Sequence, residues 1–480
     1  MKRKRSWLAV PLALALLLSG CEWVPADNAP TLSLYVDIST TDADALTMVG
    51  EALDDYVYQK LGFHVQIHAP TNYSQSLRDA IYKGDQVDVA LITLTSQVRS
   101  MAADGMLRPL DELLETSGQG ISETINAAYC RDARIDGVLY AFPTNRDRHT
   151  TYGFAYNRDI AAQYNLDLSD VKTPEDLTDI FAQLKAAAPE LYATVPLTSF
   201  ILYGMMDALG DRLGVLMLDD IDQVVNLYET EQFESIIRLL YQWNQAGYLM
   251  DYATENKSYS YYIGSGQIFG CLVEGHEIFA SQASKFGDAP ISYIPMTEAC
   301  YTASNSSRLG YAIPTASAYL RQDMALLNLL YTDTYVANLL MYGIEGIHYT
   351  RSTEDPSVLH FPDNQAPERY TGMQPWKYCN QYIADRWEVY PAGIWDKVEE
   401  ANLTAIRSPA VGFSFDSTPV ARAYQNCSDV VSDYLPVLLA GIDNPDTALP
   451  EFQQALKNAG IDEVIAEKQR QLDAYIEKTQ

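Results

Sequence analysis

The chain has 480 residues, 48% of them hydrophobic and 20% charged, with a formal net charge of −30. That length exceeds one small core and implies two or three domains, and the composition is that of a globular protein rather than a disordered one. So acidic a surface repels phosphate backbones and anionic head groups, which argues against nucleic acid as a partner, while it favours solubility.

The first residues indicate a compartment. Lys2 to Arg5 are basic, Trp7 to Leu18 are mostly apolar, and Ser19-Gly20-Cys21 follow. A charged start, a short apolar core and small residues at a cleavage point are the parts of a secretory signal. The apolar run is too short to remain as a membrane span, and no later segment is long and apolar enough for one. The ending Leu18-Ser19-Gly20-Cys21 resembles a bacterial lipobox, which implies residues 1–20 as signal peptide and a lipid on Cys21. Two or three acyl chains anchor stably. Residues 21–30 then form the tether, and loss of the four basic residues of the signal moves the charge from −30 to −34.

Five further cysteines stand at 130, 271, 300, 379 and 427. An odd number at wide spacing is no disulfide framework, and the absence of any CxxC pair argues against zinc or redox chemistry. One or two bridges, or buried free thiols, both satisfy the pattern. Tyrosine is abundant, at 34 against 13 Phe and 6 Trp. Its flat face and hydroxyl suit partly wet binding surfaces as well as sheet edges.

Along the mature chain, Thr31 to Asp37 alternates as a strand does, and the polar run from Ile38 to Asp42 follows. A helix through Met48 to Leu61 stops at Gly62, and Phe63 to His68 is a second strand. His64 and His68 alternate onto one strand face without a third ligand in view, so a half-exposed strand explains them better than a metal. Tyr73 to Tyr82 is helical, and Val87 to Ile92 is a buried strand ending at Thr93-Leu94-Thr95. This alternation means parallel strands, whose carboxyl-end loops form the natural ligand crevice. Asp37 to Thr41 and Thr93 to Ser96 occupy such loops.

The stretch from Gly137 to Ile160 holds two short aromatic strands, Val138 to Phe142 and Tyr152 to Tyr156. Between them runs Thr144-Asn145-Arg146-Asp147-Arg148-His149-Thr150-Thr151, entirely polar. The pattern fits a crossing between two lobes, or a surface loop within one sheet. Farther on, Thr173 and Pro174 read as the N-cap and first turn of a helix. Phe233, Ile236, Ile237, Leu240 and Tyr241 fall on one helical stripe, with Trp243 off it and suited to face another helix. Gly264 to His276 turns from small residues to an apolar strand ending in Glu274-Gly275-His276, another polar strand tip. Strands at Ile291 to Pro295 and Leu309 to Pro314 and helices at Met324 to Leu330 and Tyr335 to Met341 follow. Near the end, Pro450 opens a helix that Gly460 stops.

The sequence contains no GxSxG, HExxH, GxGxxG or Walker loop. With 63 carboxylates some pair must fall at glycosidase spacing, so a pair of acids carries no weight.

In this order DGMLRPLDELL, GVLYAFPT, GFAYNRDI, VKTPEDL and SGQIFG resemble the extracellular solute-binding proteins of ABC importers, sugar-binding type. NLLMYGIEGIHYT, GFSFDSTPV and the segment from Asn444 to Tyr475 are similar to the C-terminal region of lipoproteins of the LplA/LipO type. The chain departs from the pattern at Cys379, where the family usually has glycine, and at Gln267-Ile-Phe-Gly, where it has a lysine-alanine run.

The resemblance implies an α/β, two-lobe periplasmic-binding-protein-like fold with a hinge and an interlobe ligand cleft. It implies a first lobe over residues 31–143 with a return segment at about 310–360, and a second lobe over 144–309. The C-terminal region, 361–480, would complete the second lobe. The polar run becomes the interlobe crossing, with Pro143 beginning the hinge. The implied activity is capture of an oligosaccharide, without catalysis, cofactor or metal, by a monomer that docks on the transmembrane subunits of an ABC permease. Candidate ligand contacts are Asp37, Thr93 and Thr95 from the first lobe and Asn145 and Arg146 at the crossing. Glu274, His276, Trp376 and Asn380 would come from the second. Trp395 is weaker, having apolar neighbours, and Glu345 and His348 suit a structural turn. A peptide ligand, whose carboxylate Arg146 and Arg148 could hold, and a surface glycoside hydrolase are the competing readings.

Overall fold

The structure, a computed structural model, describes residues 28–479 apart from 39, 41, 94–95, 198–205, 252–256, 276–288, 304–308, 363–369 and 371. Cys21, Thr95 and His276 therefore lie outside the described residues. Among those described, no helix is long and apolar enough to cross a membrane.

The chain opens with β1 (Thr31–Tyr35), α1 (Ala43–Leu61), β2 (His64–His68), α2 (Tyr73–Lys83) and β3 (Val89–Thr93). Leu32, Leu34 and Val36 send one strand face against Ala45, Val49, Leu53 and Val57, the four-residue stripe of α1. Asp42 caps that helix through the N–H groups of Asp44 and Ala45, and Gly62 ends it at φ 75°. β1 runs parallel to both β2 and β3. The strand Leu309–Ala312 returns antiparallel to β3 and pairs on its other side with β4 (Phe142–Pro143), giving the order β2, β1, β3, Leu309–Ala312, β4.

β4 is shorter than the strand expected over Val138 to Phe142. The backbone of Leu139 is taken instead by the preceding segment: its N–H donates to Asp111 at 3.0 Å and its carbonyl accepts from Leu110 at 2.7 Å. Those groups cannot also serve a sheet ladder.

β5 (Thr151–Asn157) begins a second sheet, lying between the antiparallel strands Gly270–Gly275 and Ile291–Pro295. Phe154 from this sheet and Phe269 just before the strand Gly270–Gly275 join Phe181, Phe233 and Trp243 in a separate core. Trp243 is fully buried edge-on to Phe181, and its indole N–H donates to Thr178 at 3.0 Å. The helix expected to start at Pro174 begins at Leu177. The Asp176 carboxylate accepts the N–H groups of Lys172 and Thr173, holding the preceding residues in a turn.

Three segments join the two sheets' territories. Residues 144–150 lead from β4 to β5. Cys300–Tyr301 exchanges hydrogen bonds with Thr150, N–H to carbonyl both ways at 2.9 Å, and pairs in parallel with Ile406–Arg407. The stretch from residue 361, expected as a whole to complete the second lobe, is divided between the cores. Tyr370, Met373, Tyr378, Cys379 and Ala384 pack in the first core, beside the helices Leu320–Thr332 and Thr334–Tyr342. The Met373 N–H bonds to Leu340, and Asp385 to Asn338, which ties this piece there. After the crossing at 406–407, Val420, Cys427, Leu438, Phe452 and Leu456 pack in the second core. The helix expected to open at Pro450 starts at Pro445, capped by Asn444, and Gly460 ends it at φ 101°.

All five described cysteines are free and buried.

Candidate ligand-binding cleft

The parallel strands β1 and β3 point their carboxyl ends to one edge of the first sheet. Thr93, the last residue of β3, stands opposite Leu309, whose carbonyl accepts the N–H of Thr144 at 3.2 Å. The polar crossing thus leaves from the edge where strand-end loops gather. Asp37, two residues beyond β1, lies at the same edge and is half-buried.

What covers this edge is a short 3₁₀ turn, Pro375–Lys377. Tyr311 of the return strand donates its hydroxyl to the Lys377 carbonyl at 3.1 Å, and Lys377 Nζ meets Asp37 Oδ2 at 2.6 Å. Trp376 stays 38% exposed. Lys377 Nζ is 5.1 Å from its ring centroid and the Arg146 guanidinium carbon 5.8 Å. Arg146 Nε in turn donates to the Asp147 carbonyl at 2.7 Å and lies 3.4 Å from the Asp147 carboxylate. An exposed indole is therefore bordered by two cations, each held by its own carboxylate. Aromatic rings left open between fixed polar groups offer a flat apolar contact with hydrogen-bonding edges.

Other candidates are placed differently. Asn145 and Asn380 are almost fully buried and bond to each other, Nδ2 to Oδ1 at 3.2 Å. Asn145 Nδ2 also donates to the Thr124 carbonyl, and Asn380 Nδ2 to the Tyr331 carbonyl. The Asn145 N–H bonds to Cys379 at 2.7 Å, and its carbonyl accepts from Gln381 at 3.0 Å. The pair pins the crossing to the segment behind it. Cys379 directs its thiol into the first core, where burial pushes its pKa well up, so the side chain that replaces the family's glycine is turned into that core.

Glu274 is exposed opposite Tyr152 near the end of its strand. Its charge reaches the crossing: the Cys300 thiol is pushed up to about 12, by burial first and then by Glu274. Gly275 next to it accepts the Thr151 hydroxyl at 3.0 Å. A side chain at Gly275 would strike the Tyr293 ring, 2.7 Å away. Trp395 is half-buried with its N–H on the Ala384 carbonyl, and His348 Nδ1 accepts the N–H of Ile344 at 2.8 Å while Glu345 holds Arg351.

Sequence reasoning missed Lys377, Asp147 and Asn402. Lys377 stands between the candidates Trp376 and Asn380, but nothing local marks it as the partner of Asp37. Arg148, considered as a carboxylate holder, is buried, donates to the Thr144 carbonyl at 2.5 Å and lies over Tyr129 at 4.1 Å. Among the described residues no three His, Cys, Asp or Glu side chains converge as metal ligands would.

Residues 51–346 match the family described as bacterial extracellular solute-binding protein, and residues 409–477 match a domain of unknown function, DUF3502. A carbohydrate ABC transporter substrate-binding protein of Streptococcus pneumoniae serotype 4 (strain ATCC BAA-334 / TIGR4) is 24% identical over 98% of this chain and 96% of its own. Among solved structures, the N-glycan transport solute-binding protein NgtS of Streptococcus pneumoniae superposes with a TM-score of 0.84, at 22% identity, over 94% of this chain and all of that one. The same protein in complex with Man5GlcNAc gives a TM-score of 0.69, at 23% identity, over 94% of this chain and 99% of that one. An extracellular solute-binding protein of Bifidobacterium longum subsp. infantis gives 0.64, at 15% identity, over 94% of this chain and 99% of that one. The two cores joined by three crossings and the match over more than half its length agree: the chain belongs to the bacterial extracellular solute-binding proteins.

Proposed function

We propose that this protein is the lipid-anchored receptor of an ABC importer, held on the outer face of the cytoplasmic membrane through Cys21, and that it captures an oligosaccharide between its lobes. The observation that carries the reading is Trp376, open at the strand-end edge between Lys377 and Arg146. Sugars present C–H faces that stack on an indole and hydroxyls that bridge paired donors and acceptors. Because Lys377 is matched by Asp37 and Arg146 by Asp147, the cleft carries paired charge and suits an uncharged ligand. Asp37, Arg146, Trp376 and Lys377 form the first-lobe and crossing contacts. Glu274 with the strand end beyond it, and Thr93 at the opposite rim, complete the ring. Ligand favours closure by touching both lobes, and the closed form docks on the permease.

The likeness to carbohydrate receptors, one of them solved with Man5GlcNAc, supports a saccharide over a peptide. So does Arg148, whose burial over Tyr129 takes it away from any peptide carboxylate. A thermal-shift screen tests the choice: a ligand at 100 times its dissociation constant stabilises the folded chain by about 2.7 kcal/mol. Mannose-containing oligosaccharides should raise the melting midpoint and emerge uncleaved. A midpoint raised by peptides alone would overturn the sugar reading, and released monosaccharide would overturn the reading as a receptor without catalysis.

A further inference from the structure

One side chain outside the cleft organises the crossing. Asn402 lies in the helix Ile394–Thr404 and is 7% exposed. Its Oδ1 accepts the backbone N–H of Arg148 at 2.7 Å and of His149 at 3.1 Å, and lies 2.8 Å from His149 Nδ1. Two backbone donors on one atom identify it as the amide oxygen, so His149 donates to it from Nδ1. The Asn402 Nδ2 donates to the Arg146 carbonyl and to the Tyr382 hydroxyl, each at 2.9 Å. The amide therefore uses both hydrogens and its whole acceptor capacity, and most of it goes to residues 146–149.

The helix that carries Asn402 is fastened on the first-lobe side. Ile394 and Val398 pack with Tyr390, Tyr382 and Trp387, and Trp395 donates to the carbonyl of Ala384, which belongs to the first core. Earlier in the crossing, Thr144 is bonded to Leu309 and Asn145 to Cys379 and Gln381, all on that same side. The Thr150 backbone bonds across to the second crossing at Cys300, its hydroxyl reaches the Gly275 carbonyl of the second sheet at 3.5 Å, and Thr151 already begins β5.

A hinge turns by changing a few backbone dihedrals, and a backbone group bonded to a rigid neighbour cannot turn without breaking that bond. We propose that Asn402 is the positioning residue of this hinge: it fixes residues 146–149 to the first lobe and confines the pivot of the first crossing to Thr150 and Thr151. The polar run is then a rigid extension of the first lobe rather than the flexible link its composition suggests. Arg146, whose carbonyl Asn402 holds, keeps its place beside Trp376 in open and closed forms alike. The inference rests on the two-lobe receptor reading but needs no knowledge of the ligand.

The test is an interlobe distance in ligand-free protein. Spin labels go on Glu51→Cys in α1 and Gln242→Cys in the helix Glu231–Gln245, both exposed. The five native thiols among the described residues are buried and stay unlabelled. The chain used starts at Glu22, since both cores are built from residue 32 onward. Double electron–electron resonance should give a distribution about twofold broader for Asn402→Ala than for the parent, because the backbone groups of Arg146, Arg148 and His149 lose their bonds to the helix and the pivot lengthens. Asn402→Asp keeps the acceptor for the two backbone N–H groups but sets a carboxylate oxygen against the Arg146 carbonyl, and should give intermediate broadening. Melting curves identify any variant that fails to fold, and Asn402→Asp then carries the test alone. A folded variant, alanine or aspartate, whose distribution matches the parent overturns the proposal. That result would leave the carbohydrate reading standing, just as failure to bind saccharides would leave this one standing.

Discussion

Lys377 Nζ lies 2.6 Å from Asp37 Oδ2, joining side chains 340 positions apart in the chain. The bond brings the turn that presents Trp376 down onto the carboxyl edge of the first sheet. A loop after the first strand and the 3₁₀ turn Pro375–Lys377 are thereby held against each other, as the proposed cleft requires.

If the indole is the stacking platform, Trp376→Ala should weaken saccharide binding by about 10- to 100-fold, or about 1.4 to 2.8 kcal/mol. Trp376→Phe should recover part of the loss. Because Trp376 is exposed, the melting midpoint without ligand should hardly move. Calorimetric titration of both variants, beside their melting curves, checks this. An alanine variant that binds as well as the parent would remove Trp376 from the site.

The ion pair behind the indole should matter to both fold and binding. Lys377 keeps only 13% of its side chain exposed. Asp37→Ala would leave that ammonium without its carboxylate and cost about 1–3 kcal/mol of stability. Asp37→Glu should restore most of it if the bond itself is what counts. Urea unfolding, read as a shift in midpoint at constant slope, measures the difference.

A buried proton should give the protein a distinct pH dependence. Ser317 Oγ lies 2.9 Å from Asp88 Oδ1 and 2.7 Å from Asp323 Oδ2, and it accepts the Tyr319 N–H at 3.3 Å. One hydroxyl proton cannot serve two carboxylates. Asp88 already accepts the Ser33 N–H at 2.8 Å and the Gln86 amide at 2.6 Å, and the Ser317 hydroxyl is its third donor. When Asp323 is protonated, it can donate to Ser317 Oγ, 2.7 Å away, leaving the hydroxyl proton for Asp88. Burial, with the charge of Asp88 adding to it, pushes the Asp323 carboxyl up to about 7. The native state therefore binds a proton that the unfolded state releases. Its stabilising effect is complete below pH 3.8 and lost as pH rises to about 7. Asp323→Asn can still donate to Ser317 and has no proton to lose. Relative to the parent it should gain on the order of 2–4 kcal/mol on going from pH 4 to pH 8. Melting midpoints of the two proteins across that range give the answer; parallel curves would contradict the assignment.

The proposed anchor makes a separate prediction. Cys21→Ala should move the protein from the membrane fraction into the soluble one and abolish incorporation of labelled palmitate. Retention of label at Cys21→Ala would place the lipid elsewhere.

Much of the scaffold is legible in the residues themselves. Gly62 marks the end of α1, while its start at Ala43, capped by Asp42, lies five residues before the expected Met48; the buried stripe of Ala45, Val49, Leu53 and Val57 forms its inward face. Alternation in Thr31–Tyr35 and the solid apolar run of Val89–Thr93 mark their strands equally well. Such signals work because their periods are set by the local backbone. The cleft is less legible. Asn145 and Asn380 look the same in sequence whether they face ligand or backbone, and only the fold shows that they bond to each other. Trp376 enters as a candidate only through the resemblance of its segment to the family pattern. Lys377 and Asn402 could not be chosen, since their partners at Asp37 and Arg146 to His149 lie hundreds of residues away. The division of the tail between two cores was hidden for the same reason: Tyr378 and Phe452 are both buried aromatics, and nothing beside them names the core they enter.

The central claim is that a neutral oligosaccharide binds at Trp376 and is not cleaved. The measurement that bears on it most directly is isothermal titration of the chain from Glu22 with Man5GlcNAc and other oligosaccharides, with the parent and Trp376→Ala side by side. The account predicts saturable binding by the parent to at least one of them, little salt dependence, intact saccharide recovered afterwards, and a loss of at least tenfold in the variant. Binding of peptides in place of every saccharide, or equal saccharide affinity in parent and variant, would contradict it.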